Sequence, residues 1–336
     1  MKIKIRYHVL VGFLLLLLPI EIKAQEDSSI VDTKHQLYSY LQMLEDLNLL
    51  QSKYPSCFRY ELRDSTCQGR KIPIVYLGDS TATKHIMIQA SMHAREYMGT
   101  QLVMSMLEFY ASQYETGTYK QTAFRDMFKN VCLVVMPMVN PDGVEIAQKG
   151  EEGALTDDVK QWVRKSTEAG ISHNQIKSNA RGVDLNRNFR NGFGKGKLAK
   201  KSKNYSHYAG AFPYSEPETK LMLDVSRQFD YYCFLNYHTS GNIIYYGCQN
   251  ASKMINNKAL QIAQMIKRHT KYPYYGPNTA PPLGSWADEV EILYKRPSVT
   301  IEIGSKNPVP INEFDQIYEK NLWVWADLMY SIVVNS

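Results

Sequence analysis

Cysteine is scarce in this chain. Five thiols are spread over 336 residues, and no two stand in C-x-x-C spacing. A cysteine-built zinc site is therefore excluded, and the odd count leaves at least one thiol unpaired. Long apolar runs are scarcer still. The longest, residues 9–20, falls short of the roughly 18 residues that a membrane span needs, and no other segment qualifies. Apart from one lysine-rich stretch, charge of one sign is not concentrated either. The net charge is +6 with 21% charged residues, and Lys and Arg do not share one periodic face, so the footprint of a nucleic-acid binder is missing. There is no repeat, no low-complexity tract and no interdomain linker. The H-E-x-x-H zinc helix is absent as well, which excludes the enzymes built on it.

What is present begins at the N-terminus. Lys2, Lys4 and Arg6 precede the apolar run, and Ala24 supplies a small residue for cleavage. This reads as a secretory signal peptide over residues 1–24, followed by one domain over 25–336. No Cys follows Ala24, so a lipoprotein is not expected. Export permits disulfides. Cys57 and Cys67, flanking a strand and a turn, form the candidate pair, whereas Cys132 and Cys233 lie in apolar strands as small buried hydrophobes. Lys195, Lys197, Lys200, Lys201 and Lys203 crowd one stretch. It reads as a solvated loop, or as a surface attracted to an anionic cell wall.

Strand and helix patterns alternate along the remaining chain. Residues 58–62 and 72–77 predict a hairpin turning at Gly69, and 85–90 a short strand. Residues 131–139 form a continuous apolar strand of the kind buried on both faces. Residues 233–237 and 298–303 predict further strands. Helical spacing covers 100–114, 252–269 and 313–333, and Ser215-x-x-Glu218 has the form of a capping box opening a helix to 229. Residues 182–208, rich in Gly, Asn and Lys, predict a long functional loop. The alternation implies a single α/β domain with a central mixed, mostly parallel sheet flanked by helices.

Open α/β sheets bind ligands beyond the carboxyl ends of their strands. After 85–90 comes Ser91-Met92-His93-Ala94-Arg95-Glu96, and after 131–139 comes an Asn140-Pro141-Asp142-Gly143 turn. His238 closes the 233–237 strand, and Glu302 stands between Ile301 and Ile303 in the last one. His93, Glu96 and His238 make a His₂Glu set, enough for a catalytic zinc with a position left for water. Glu302 is the candidate general base, since a carboxylate between two buried isoleucines needs a reason to be there. No single piece is specific. With eight His, an H-x-x-E arises by chance about 0.5 times in a chain of ordinary composition. The joint arrangement at successive strand ends is what carries the reading.

In order, His93-Ala94-Arg95-Glu96, Asn140-Pro141-Asp142-Gly143, Gly182-Val183-Asp184-Leu185-Asn186-Arg187-Asn188-Phe189, Tyr237-His238-Thr239-Ser240 and Thr300-Ile301-Glu302 resemble the zinc carboxypeptidase family over nearly the whole mature chain. The resemblance implies that His93, Glu96 and His238 hold one zinc and that Glu302 is the base. Asn186 and Arg187 would grip the substrate's terminal carboxylate, a task that suits the planar guanidinium, and Arg95 would contact the substrate further along. The family's oxyanion-stabilising Arg has two positional matches here, Lys177 and Arg164. Its mobile pocket Tyr is matched by Tyr275. The short stretch before the domain argues against zymogen control.

The string around Lys177–Leu185 is similar to bacterial members that cut cell-wall stem peptides between γ-D-glutamate and meso-diaminopimelate. Gly284-Ser285-Trp286-Ala287-Asp288 resembles their pocket region. Trp286 and Asp288 are candidate specificity residues, with a core Trp and a capping Asp as the alternative. Two substrate classes stay open, peptidoglycan stem peptides and the C-termini of ordinary peptides. An inactive binding protein of the same fold would have lost a ligand, Glu302 or Arg187, and none is lost. The expected location is secreted, periplasmic or wall-associated, with no membrane contact after cleavage of the signal.

Overall fold

The computed structural model describes residues 29–277 and 283–334; the signal-peptide reading lies outside them. Ten strands are β1 (Phe58–Ser65), β2 (Lys71–Leu77), β3 (Lys84–Ala90), β4 (Thr118–Tyr119), β5 (Thr122–Ala123), β6 (Val131–Met136), β7 (Tyr231–Thr239), β8 (Ile243–Tyr246), β9 (Tyr274–Tyr275) and β10 (Ser298–Ile303). The helices are α1 (Tyr40–Lys53), α2 (Met98–Gln113), α3 (Phe124–Asn130), α4 (Pro141–Lys149), α5 (Asp157–Glu168), α6 (Pro217–Ser226), α7 (Lys253–Thr270), α8 (Trp286–Leu293), α9 (Phe314–Asn321) and α10 (Val324–Val334).

Eight strands form one sheet in the order β1-β2-β6-β3-β7-β10-β8-β9, and β4 and β5 pair separately. The middle of the sheet, β6-β3-β7-β10, is parallel throughout. Antiparallel pairs flank it: β1 with β2, β2 with β6, and β10 with β8. Strand alternation sends side chains to two cores. On β3, Ile86 and Ile88 face the layer of α1, α2, α7 and α10, while Met87 faces the layer of α6 and α8. Both faces are covered, so these strands read as continuous apolar runs.

The hairpin turns at Gly69, whose φ of +89° falls where glycine carries no Cβ penalty. Several expected boundaries move. The strand from 131 stops at Met136, because Pro137 cannot donate to the ladder. The Asn140 turn is the start of α4: Asn140 caps it by accepting from the Gly143 N–H at 3.0 Å, and Pro141 occupies the first helical position. Ser215 forms no capping box. Pro217 opens α6 with Glu216 as its N-cap, and the helix ends at Ser226. The closing helix is two helices, α9 and α10, broken between Asn321 and Val324.

All five cysteines are free. Cys57 and Cys67 stand at opposite ends of the eight-residue β1. At about 3.3 Å per residue that separation far exceeds the roughly 7 Å that a disulfide can bridge. No helix of the described residues is long and apolar enough to cross a membrane.

Candidate active site

The parallel strands end together, and their ends build the site. Asn140, beyond β6, donates from its N–H to Ser91 O at 3.2 Å and from Nδ2 to Met92 O at 3.2 Å, which fixes the loop leading to His93. The Ser91 hydroxyl donates to Glu96 O at 3.0 Å and accepts from the Thr100 hydroxyl on α2. His238 lies one residue from the end of β7 and pairs in register with Glu302 on β10.

His93, Glu96 and His238 converge, each at most 5% exposed, with one ligand atom from each lying within 4.8 Å of the others. Glu96 Oε1 lies 2.8 Å from His93 Nδ1, Glu96 Oε2 lies 2.9 Å from His238 Nδ1, and the two Nδ1 atoms are 3.2 Å apart. Two imidazole lone pairs and a carboxylate aimed at one buried point suit a small divalent cation of zinc's ligand preference. Burial alone would raise the Glu96 carboxyl, but His93 and His238 overcome it and hold Glu96 ionised.

The far side of each imidazole is engaged as well. His93 Nε2 faces Asp184 Oδ1 at 3.3 Å, and neither atom has another partner. A carboxylate there keeps the proton on Nε2 and leaves Nδ1 free to ligate. Against the effect of burial, His93, Lys177 and Arg187 hold Asp184 well below the usual carboxylate range. His238 Nε2 meets the Gln89 amide at 3.3 Å, and Gln89 Oε1 is otherwise unpartnered. A half-turn of that amide presents it as the acceptor. Neither residue had been assigned a role from sequence. Asp184 stood in the 182–189 string, where its acidity beside Asn186 and Arg187 was the available signal; Gln89 gave none.

Glu302 borders the metal ligands and lines a cleft of about 250 Å³ with Asn186, Arg187, Tyr245, Tyr275 and Asp288. Burial pushes its carboxyl up to about 7; His238 pulls down, Glu96 pushes up, and Lys177 and Arg95 pull down. Lys177 is placed by its own backbone: its carbonyl accepts from the N–H of Ala94, the residue after His93, at 3.0 Å. Arg164 is elsewhere. It sits on α5, exposed, in an ion pair with Glu151 at 2.6 Å, and lines a separate surface cavity with Lys149 and His173.

Trp286 is not in the cleft lining. It is 1% exposed and packs against Phe189 and Phe234, and its backbone N–H donates to Asn186 Oδ1 at 2.9 Å. It therefore positions Asn186 and is a core residue. Asp288 reaches the cleft while also joining the start of α8, where it and Ser285 exchange hydrogen bonds. Burial raises its carboxyl.

A buried His₂Glu centre at the carboxyl edge of a mixed sheet, with an acid and an Arg in one adjoining cleft, defines a metal-dependent hydrolase. The family model for zinc carboxypeptidase matches residues 43–319, and the chain belongs to that family. Gamma-D-glutamyl-L-diamino acid endopeptidase 1 of Lysinibacillus sphaericus is 29% identical over 304 residues, spanning 88% of this chain and 73% of its own. The structure of bovine thrombin-activatable fibrinolysis inhibitor is similar in fold, with a TM-score of 0.68 at 18% identity over 90% of this chain and 99% of that one. Murein-tripeptide amidase from Escherichia coli O157 aligns with a TM-score of 0.50 at 19% identity over 82% of this chain and 94% of its own. The protein is thus a zinc metallopeptidase acting on peptide bonds, and its His93, Glu96 and His238 are positioned to bind a metal ion.

Proposed function

We propose that this enzyme hydrolyses γ-D-glutamyl-meso-diaminopimelate bonds of peptidoglycan stem peptides, outside the cytoplasm. The observation that carries the reading is the pairing, in one small cleft, of a cation with an acid: Arg187 and Asp288 both line it beside Glu302. The distal centre of diaminopimelate carries a carboxylate and an ammonium, which match that pair. The relative from Lysinibacillus sphaericus acts, by its name, on a γ-D-glutamyl-L-diamino acid bond. Removal of residues 1–24 as the signal peptide of an exported precursor would fit a wall substrate. So does the lysine-rich loop, in which Lys195, Lys197, Lys200 and Lys201 are exposed.

Bound zinc supplies Lewis acidity towards a carbonyl and makes water acidic enough to attack near neutral pH. The protein's residues do the rest. Arg187, with Asn186 held by the Trp286 N–H, grips the substrate carboxylate. Glu302 takes the proton of the attacking water and returns it to the leaving nitrogen, and a carboxyl raised to about 7 is poised for both tasks. Lys177 faces the charge developing on the carbonyl oxygen. Arg95 contacts the substrate beyond the scissile bond, and Tyr275, exposed at the rim, covers the cleft. Arg164 has no part in this chemistry.

A basic C-terminal residue of an ordinary peptide also offers a carboxylate and a cation, so Asp288 supports that second reading. The deciding experiment compares two substrates with the zinc-loaded enzyme. Chelator-sensitive release of diaminopimelate fragments from a muropeptide, with little cleavage of blocked dipeptides ending in Lys or Arg, is expected. The reverse preference would replace the wall reading with a basic carboxypeptidase.

A further inference from the structure

A second cavity, of about 350 Å³, lies at the opposite edge of the sheet. Its walls include Lys84, the first residue of β3, Tyr231, the first of β7, and Pro297, just before β10. The parallel strands place His93, Glu96 and His238 at their other ends, roughly 20 Å away for seven residues at about 3.3 Å each. None of its lining residues belongs to the catalytic cleft.

The floor is apolar. Ile255, Ile262 and Met265 come from one face of α7, spaced as neighbours on a helix surface, and Leu328 comes from α10. All four are buried. The rim is cationic, with Lys84, Lys258, Arg268, Lys295 and Arg296 converging on it against a single carboxylate, Asp230. Asp230 is taken by Arg296. Arg268 reaches Asp327 at 3.5 Å, but that carboxylate already serves Lys120 and His269. Lys84, Lys258 and Lys295 form no ion pair among the described residues. Lys295 sits at φ +54°, a left-handed turn that L side chains seldom adopt. Like charges held around a low-dielectric hollow repel one another and attract a counter-charge. The volume is that of a small-molecule site.

We propose that this cavity binds an amphiphilic anion, with an alkyl or aryl body on the α7–α10 floor and a carboxylate or phosphate head among the lysines. The site is separate from catalysis and does not depend on the substrate assigned to the zinc cleft. The test is calorimetric titration of the intact zinc-loaded protein with decyl phosphate and with decanoate, and with decyltrimethylammonium as the cationic counterpart. Saturable one-to-one binding of at least one anionic amphiphile is expected, and the tighter of the two identifies the head group. The exposed double variant K258E/K295E should weaken it by roughly tenfold or more while peptidase activity stays unchanged, and Arg187→Ala should leave it intact. Absence of saturable binding, equal affinity for decyltrimethylammonium, undiminished affinity in K258E/K295E, or loss on Arg187→Ala would each overturn the proposal.

Discussion

Replacing Asp184 by Asn tests whether the zinc site is set from behind. The two carboxylate oxygens do different work: Oδ1 faces His93 Nε2 at 3.3 Å, and Oδ2 accepts the His207 N–H at 3.0 Å. Asn keeps the shape but has one acceptor. If its oxygen serves the His207 N–H, its NH₂ faces His93 Nε2. The ring then moves its proton to Nδ1, the atom meant for the metal. Outer partners of ligating histidines are worth about 10–100-fold in metal affinity, or roughly 1.4–2.7 kcal/mol. If the amide turns the other way, the half-buried His207 N–H loses its acceptor, at a cost of about 1 kcal/mol in the metal-free fold. Zinc affinity by competition with a chelating dye, and thermal melting of the metal-free protein, read the two cases separately. A variant with wild-type zinc affinity and wild-type melting would refute the assignment.

Glu302→Gln should keep zinc and fold while turnover falls by at least about 100-fold; a single-turnover assay that retains most of its rate would remove Glu302 as the base. Arg187→Ala should raise KM for substrates with a free carboxylate and leave C-terminally amidated ones unaffected, so equal effects on both would reject the carboxylate grip. Lys177→Ala should lower kcat/KM by on the order of 100-fold, the usual cost of one oxyanion donor, whereas Arg164→Ala should change it less than about twofold, since its ion pair is exposed. The buried Glu218 carboxyl is pushed up to about 8, first by burial and then by Glu216 and Asp142. Its folded value lies above the unfolded 4.5, so the folded state binds the extra proton, and its contribution to stability, complete below pH 4.5, is lost as pH rises to 8. Glu218→Gln should therefore flatten the decline of melting temperature between pH 5 and 8, by an amount on the order of a few kcal/mol of stability; parallel curves for the two proteins would show that Glu218 stays ionised.

What was legible in the sequence follows from what local spacing encodes. His93, Glu96, His238 and Glu302 were readable because each stands at the end of a strong apolar run, and strand ends share an edge in a parallel sheet. The choice between Lys177 and Arg164 was not readable. It depends on a contact between Lys177 O and the Ala94 N–H, 83 residues apart in the chain, which no spacing rule records. The Cys57–Cys67 pairing failed because proximity in sequence is not proximity in space when an extended strand lies between. Of the two readings of Trp286, the structure fits the core one. Its N–H, not its ring, serves the site, and backbone contributions leave no mark in residue type. The capping box failed because Pro217 reset where α6 could begin.

The placement of Glu302 shows how narrowly the sheet fixes the chemistry. Ile301 and Ile303 point into the core beside Tyr237 and Trp325, so Glu302 must point to the other face, beside His238. Side chains alternate with a period of two, and a register slip of one residue would turn both isoleucines to the cleft and bury the carboxylate in a core of aromatic and aliphatic groups. Desolvating that charge without a partner would cost several kcal/mol. The apolar pattern that stabilises β10 is thus the same pattern that holds the acid within reach of the metal ligands. The cost of burying the acid thus disfavours a one-residue slip of β10 in either direction.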